Sequence, residues 1–457
     1  MTTAQNPAAV VDQLRDRVSA LFPALQSDLE SLVRIPSVSN SEFDQSVMDT
    51  SAAAVAELFR GAGMPDVQVL RSSGPDGATS RPAVVARRPA PAGAPTVLLY
   101  AHHDVQPPGT SGWTSDPFEP READGRLYGR GAADDKAGIV AHLGALRALG
   151  DDLGVGVTIF SEGEEEIGSP CFVDFLDQYR DLLRADVIVV ADSANWKVGV
   201  PGLTTSLRGL VDCTVEVAAL ESPVHSGMFG GPVLDAYTLL ARLVATLHDE
   251  NGDVAVEGLV VGPEPEVDYD EASFRTDAGM LPGTHLAGTG SIAGRLWARP
   301  TIAVLGIDAT PADSASNTIA PSARAKVSMR IAPGQDPAAA ATALTAHLEA
   351  NAPFGARVTV SDGETGQAFR APQDSDAMRA ARAAFAAAWG TEPVDIGLGG
   401  SIPFIADLLV AFPEAAILVT GVEDPASLAH GPNESVHLGE LEKVVLAEAL
   451  LLRALGE

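Results

Sequence analysis

The sequence predicts an α/β fold: a mixed, mostly parallel sheet flanked by helices and interrupted by an inserted α+β domain. Short apolar runs at Thr96–Tyr100, Val155–Phe160, Val187–Val190 and Ala415–Thr420 have the composition of strands buried on both faces. Helix-prone runs at 139–149 and 171–184 separate the first three, which gives a β-α-β rhythm. Between the third and fourth runs, residues 210–218 and 323–331 instead alternate apolar with polar, the period of a half-exposed strand.

A chain of 457 residues exceeds one typical core, so two domains are expected. Val11, Leu14, Val18, Leu21, Leu25, Leu29, Leu32 and Val33 recur at helical spacing, which predicts a helix over 8–34 that stops at Ile35-Pro36. A second helix over 46–63 and extended segments at 67–70 and 83–86 lead into the first buried strand. After Gly209 come a strand (210–218), a helix (232–248), an acidic loop-rich insertion (250–295), a strand (323–331), a helix (337–351) and a strand (357–361). The α/β pattern resumes with an Ala-rich helix at 374–389 and the run at 415–420. The expected division is therefore 1–207 and 373–457 for the outer domain and 208–372 for the inserted one.

The formal net charge is −31, from 61 acidic and 30 basic residues. Such a balance offers no basic surface for nucleic acid or an anionic membrane, and it suits a protein that gathers cations. Cys171 and Cys213 are the only cysteines, too few for a disulfide framework; they are expected as buried thiols in a reducing compartment. The opening Met-Thr-Thr-Ala-Gln-Asn-Pro has no signal-peptide pattern, and no apolar run approaches the ~18 residues of a membrane helix. A cytoplasmic protein is the expectation.

Each buried run ends in chemistry. Thr96–Tyr100 leads into Ala101-His102-His103-Asp104, and Val155–Phe160 into Ser161-Glu162-Gly163-Glu164-Glu165-Glu166. Val187–Val190 leads into Ala191-Asp192, and Ala415–Thr420 precedes a loop ending in His430-Gly-Pro-Asn-Glu434. Ligands of open α/β sheets bind beyond the carboxyl ends of the strands. A fifth element, Tyr128-Gly-Arg-Gly-Ala-Ala-Asp134-Asp135-Lys136-Ala-Gly138, sets two acids in a small-residue turn before a helix. Carboxylates and imidazoles without thiolates form a donor set for zinc, manganese or cobalt.

Each part alone has a plainer explanation: a surface His-Asp pair, a solvated run of glutamates, a helix-capping Asp192, a loop His430. Their joint placement at strand ends argues otherwise, because repelling carboxylates beside a buried strand need a compensating cation. In His102-x-Asp104, alternation puts both side chains on one face, so the Asp can orient the imidazole. Of the adjacent Glu165 and Glu166, one can coordinate while the other holds a proton beside activated water.

These segments, with Val224-His-Ser-Gly-Met-Phe-Gly-Gly231, Leu296-Trp-Ala-Arg-Pro-Thr301, Ser328-Met-Arg-Ile-Ala-Pro-Gly-Gln335 and Gly399-Gly-Ser-Ile-Pro403, resemble the dinuclear zinc aminoacylase and dipeptidase family. That family includes carnosinase-like dipeptidases, carboxypeptidase G and succinyl-diaminopimelate desuccinylase. The resemblance implies a zinc-peptidase-like catalytic domain with an inserted lid that also forms a homodimer contact. It implies that His102 and Asp192 bind one metal, Glu166 and His430 the other, and that Asp134 bridges them. Glu165 becomes the general base for attack by water on a dipeptide or similar small amide, and Asp104 the orienter of His102. By the same resemblance, His225 reaches the partner subunit's active site, while Asn317, Arg330, Gly400 and Ser401 hold substrate. Asp rather than Glu at position 192 leans toward dipeptidases over N-acyl-amino-acid deacylases, the alternative reading. Gly397-Leu398 replaces the Arg-Glu usual in the carnosinase-like pattern, so carnosine itself is not implied.

Overall fold

The computed structural model describes residues 7–74, 77–400 and 403–457. In chain order these form α1 (Pro7–Val33), α2 (Ser46–Gly61), β1 (Asp66–Leu70), β2 (Ala83–Arg88), β3 (Thr96–His102), β4 (Arg121–Ala123) and β5 (Arg126–Tyr128). There follow α3 (Lys136–Leu149), β6 (Gly156–Glu162), α4 (Phe172–Gln178), α5 (Arg180–Leu183), β7 (Val187–Val190), β8 (Gly202–Leu207) and β9 (Gly209–Ala218). Next are β10 (Val224–His225), α6 (Ser226–Phe229), α7 (Ala236–Ala245), α8 (Glu271–Asp277), α9 (Ile292–Trp297), β11 (Thr301–Asp308), β12 (Thr318–Ile319) and β13 (Ser322–Ile331). The chain closes with α10 (Pro337–Ala350), β14 (Arg357–Gly366), β15 (Phe369–Arg370), α11 (Asp376–Trp389), β16 (Val394–Leu398), α12 (Pro403–Ala411), β17 (Ala416–Val419), β18 (Ser435–His437) and α13 (Leu438–Leu455). Two compact units result: Met1–Thr205 with Ala371–Ile396 and Asp407–Glu457, and Ser206–Arg370 with Gly397–Ala406.

In the first unit the strands run in the order β1-β2-β6-β3-β7-β17-β8. The central four, β6, β3, β7 and β17, are parallel, and their outer neighbours pair antiparallel. Register brings the carboxyl ends level: His102 lies opposite Glu162, Tyr100 opposite Val190, and Val190 opposite Val419. The loops after these strands therefore leave from one edge of the sheet. A small sheet, β18-β5-β4, sets Ser435 opposite Tyr128 and draws the 430–434 loop beside the turn at 129–134.

Helix α3 packs between β3 and the helices α1 and α13, so nearly every residue of it is buried. Asp135 caps it by accepting the Gly138 N–H, and the Lys136 ammonium donates to the carbonyls of Leu32 and Ile35 at 2.9 and 2.7 Å, at the C-terminal end of α1. At Gly144 the three helices meet closely. A Cβ there would stand 2.7 Å from Val445 Cγ1 and 2.8 Å from Leu25 Cδ1.

The second unit is an antiparallel sheet, β11-β13-β9-β14, with α7 and α10 against one face. Val215 and Val217 of β9 and Val327 and Met329 of β13 interlock there with Leu239, Leu243, Leu344 and Leu348. The sequence pattern differs from the structure in several places, among them the run expected as one helix over 171–184, which is divided into α4 and α5. The helix expected over 232–248 is Ala236–Ala245, because Asp235 caps its start by accepting the Thr238 N–H. The 250–295 insertion holds α8 and α9, each begun by a side-chain cap, Asp270 and Ser291. The C-terminal α13 carries apolar residues all round and has no stripe to read, since it lies buried against α1, α3 and α11.

Gly144→Val is expected to lower stability by about 1–3 kcal/mol through overpacking, read as a lower thermal midpoint for the first unit. An unchanged midpoint would mean the three helices separate freely there.

Candidate metal centre

His102 ends β3 and is fully buried. Its Nε2 lies 2.9 Å from Asp134 Oδ1. Its Nδ1 faces Asp104, 3.1 Å from the backbone carbonyl and 3.4 Å from Oδ1. The main-chain oxygen is thus the nearer acceptor, and the Asp104 carboxylate divides its role: Oδ2 accepts the Glu166 N–H at 3.0 Å. One residue thus orients the imidazole through its carbonyl and the strand-end turn that carries the glutamates through its carboxylate.

His103, one residue on, points to the opposite face. Its ring nitrogens meet Ser51 Oγ at 3.1 Å and the Pro82 carbonyl at 2.8 Å, and burial pushes its pKa down to about 4. It is a neutral core histidine.

Asp134 sits in the turn before α3 and presents its two oxygens to two histidines. Oδ1 meets His102, and Oδ2 lies 3.0 Å from His430 Nε2. Glu166 Oε2 is 3.1 Å from that same nitrogen, while its Oε1 accepts the Gln106 N–H. Potential donor atoms form two groups, His102–Glu165–Asp192 and Asp134–Glu166–His430, each with all its atoms within 4.8 Å of one another.

The electrostatics of this arrangement call for cations. Burial, then repulsion from Asp192 and other acids that outweighs the attraction of His102, pushes Glu165 up to about 9. Asp192 is pushed up to about 7 by burial and by Asp134 and Glu166. Hydrogen bonds to Asp134 and then Glu166 push His430 up to about 11. Burial opposes charge on His102, but its bonds to Asp104 and Asp134 raise it well above its ordinary value. Four carboxylates and two imidazoles gathered around shared space, with no thiolate, fit two divalent ions.

The turn bearing Asp134 is held by a residue the sequence motif contained without revealing its purpose. Glu434 is fully buried and accepts from Arg130 Nη1 at 2.7 Å and from the backbone N–H groups of Gly131, Ala133 and Asp134 at 2.9–3.1 Å. Arg130 Nη2 also donates to the carbonyls of His430 and Gly431. The Arg130–Glu434 pair therefore ties the Asp134 turn to the His430 loop.

The remaining expected site residues lie in the second unit. His225 is exposed; it pairs with Thr318 across β10 and β12, and its Nδ1 accepts the Gly227 N–H at 3.0 Å. Asn317 is its neighbour, accepting the Ser226 N–H through its carbonyl at 2.9 Å. Arg330 is half-buried on β13, and Gly400 is exposed. Ser401 lies outside the described residues. Arg208, which the sequence did not single out, is buried and donates to the Gly399 carbonyl at 2.9 Å and Thr301 Oγ1 at 3.0 Å. Burial and then the charge of Arg330 lower it to about 10.

A mostly parallel sheet with two three-donor clusters at its carboxyl edge has the make-up of an enzyme site for two metal ions. The family model described as "Peptidase family M20/M25/M40" matches residues 98–454, and the chain belongs to that family. It is a metallopeptidase. A Cysteinylglycine-S-conjugate dipeptidase of Corynebacterium striatum is 40% identical over 372 residues, covering 80% of this chain and 82% of that one. A Beta-Ala-His dipeptidase of Rattus norvegicus is 30% identical over 369 residues, covering 75% and 73%. The crystal structure of human carnosine dipeptidase 1 aligns with a TM-score of 0.74 at 25% identity, covering 98% of this chain and 99% of that one. Among the described residues no helix is long and apolar enough to cross a membrane.

Glu434→Gln keeps the shape of the side chain but removes the charge that pairs with Arg130. It is expected to weaken divalent-ion binding about 10- to 100-fold, measured by chelator competition. Wild-type affinity in that variant would mean the Asp134 turn holds its place unaided.

Proposed function

We propose that this chain hydrolyses the peptide bond of dipeptides or similar small amides at a two-metal site, with Glu165 as the general base. The observation that carries this reading is the arrangement of Asp134, whose two carboxylate oxygens face the histidines of two separate donor clusters. His102 and Asp192 would hold one ion and Glu166 and His430 the other, with Asp134 shared. When bound, the ions polarise the scissile carbonyl and make water a stronger acid. Zinc is the reading the nitrogen and oxygen donors support, with manganese or cobalt as alternatives.

Glu165 takes the proton of the attacking water on a carboxylate oxygen and delivers it to the departing amine nitrogen. Its carboxylate lies in the cluster with His102 and Asp192, beside the place where that water would be activated. Asp104 keeps the His102 ring and the Glu166 backbone in place during both. Arg330 takes the substrate's terminal carboxylate, since its fork can donate two parallel hydrogen bonds. The nearby Arg208 adds a second positive charge, and an anion between the two would relieve their repulsion. Asn317, Gly400 and Ser401 complete the proposed substrate contacts.

The names of the relatives support small peptides as substrates: one is a Cysteinylglycine-S-conjugate dipeptidase and another a Beta-Ala-His dipeptidase. N-acyl amino acids are the competing substrate class, and a turnover panel of dipeptides against N-acyl amino acids separates the two. We read the second unit as lid and homodimer contact. The edge strand β11 exposes Val304, Leu305 and Ile307, an apolar row that a second copy would cover. His225 would then donate to the oxyanion in the partner's site. A cytoplasmic location is the reading that the two free, buried cysteines support.

Glu165→Ala is expected to retain its metal while kcat on a dipeptide falls about 100- to 10,000-fold. A variant of full activity would sink the assignment. Co-expressing Glu165→Ala with His225→Ala chains tests the shared site. Mixed dimers regain activity if His225 acts across the interface, and stay inactive if it acts within its own chain.

A further inference from the structure

The acids around the metal centre can be matched with partners one by one. Glu434 has Arg130 and three backbone N–H groups. Glu164 accepts from the backbone of Arg81 and Cys171, and Glu162 from the Tyr100 hydroxyl. Asp135 caps α3, and Asp104 accepts the Glu166 N–H with one oxygen while the His102 ring stands 3.4 Å from the other. Asp134, Glu165, Glu166 and Asp192 belong to the two donor clusters. Glu423 stands apart. Among the described residues no hydrogen bond or ion pair reaches its carboxylate, and it belongs to neither cluster.

Its place is well fixed by the backbone. Glu423 follows β17 and forms a parallel bridge with Ala194, two residues beyond Asp192. The Asn195 N–H donates to its carbonyl at 2.8 Å, and its own N–H donates to the Ser193 carbonyl at 3.4 Å. The side chain is half-buried, so one side of it remains open to solvent. Burial first, then the charges of Asp134, Asp192 and Glu434, raise its pKa well above the usual carboxylate range, against the opposing charge of His430. A carboxylate so placed, without a partner, asks for a positive charge.

Two sources could supply that charge: a metal ion or a ligand. Each donor cluster closes within 4.8 Å without Glu423. The charge is then one that arrives with the substrate. In a peptide the α-nitrogen of the N-terminal residue lies about 2.5 Å from the carbonyl carbon under attack, so a group that reads it must border the metal centre. We propose that Glu423 binds the free α-ammonium group of the substrate's N-terminal residue and so selects unblocked dipeptides over substrates without that charge. The proposal rests on the peptide-hydrolase reading above. It makes Glu423 a specificity residue, paired with the ammonium through a charge-assisted hydrogen bond.

The test compares wild type with Glu423→Gln on Ala-Leu and on lactoyl-leucine, which carries a hydroxyl in place of the amine around the same scissile amide. The expected result is a fall of about 10- to 100-fold in the ratio of kcat/KM for Ala-Leu over lactoyl-leucine, carried mainly by KM. Metal content per chain, by mass spectrometry, should match wild type. An unchanged ratio overturns the proposal. Loss of metal overturns it too, since Glu423 would then be a ligand of the ions. Wild-type turnover judges the underlying reading separately: if the wild type leaves Ala-Leu intact, the dipeptidase reading fails before the variant is compared, and the role of Glu423 fails with it.

Discussion

Repulsion among carboxylates held close together at the edge of a buried sheet is the constraint on which this structure turns. Asp134, Glu165, Glu166 and Asp192 bring four carboxyl groups to shared space, where burial and mutual repulsion disfavour the charged forms of Glu165 and Asp192. A protein does not assemble such a group for stability alone, because each charge costs free energy to desolvate. The surrounding architecture reads as the means of keeping these acids in place until cations join them. The level ends of β6, β3, β7 and β17 bring their loops together, and the Arg130–Glu434 pair locks the turn that carries the central acid.

Support around the donors is divided in a consistent way. Buried groups that are not donors carry the geometry: Asp104 under His102 and Glu166, Glu434 under Asp134, Lys136 against the end of α1. The donors themselves are left with few competing hydrogen bonds. His102 and His103 show how sharply the backbone makes this choice. Adjacent in sequence, they face opposite sides of an extended segment, one toward Asp134 and the other toward Ser51 and Pro82.

Much of this was legible in the chain. Strands buried on both faces leave continuous Val, Ile and Leu runs, so β3, β6, β7 and β17 and the acids after them could be read directly. The role of Glu434 could not, because its partners Ala133 and Asp134 lie about three hundred positions earlier and meet it only in space. Helix α13 escaped for a different reason: burial on all sides erases the stripe by which a helix is recognised. Glu423 left no signal either. One acid after a strand is ordinary, and only the absence of a partner beside Asp192 and Asp134 sets it apart. In the second unit, the alternation in β9 and β13 announced the sheet, whereas nothing local could mark Arg208 as the buried neighbour of Arg330.

The position of β17 between β7 and β8 bears on how the protein is made. Residues 187–190 and 202–207 leave the ribosome long before residues 416–419, so the central sheet keeps an open slot while the whole second unit is synthesised. His430 and Glu434 follow the strand that fills the slot. Nascent chains thus pass through a stage in which two sheet edges lie bare and the acid-bearing loops lack their last donor and their anchor. Completion of the sheet and completion of the metal centre become one late event, and a chain stopped short of residue 416 would have neither.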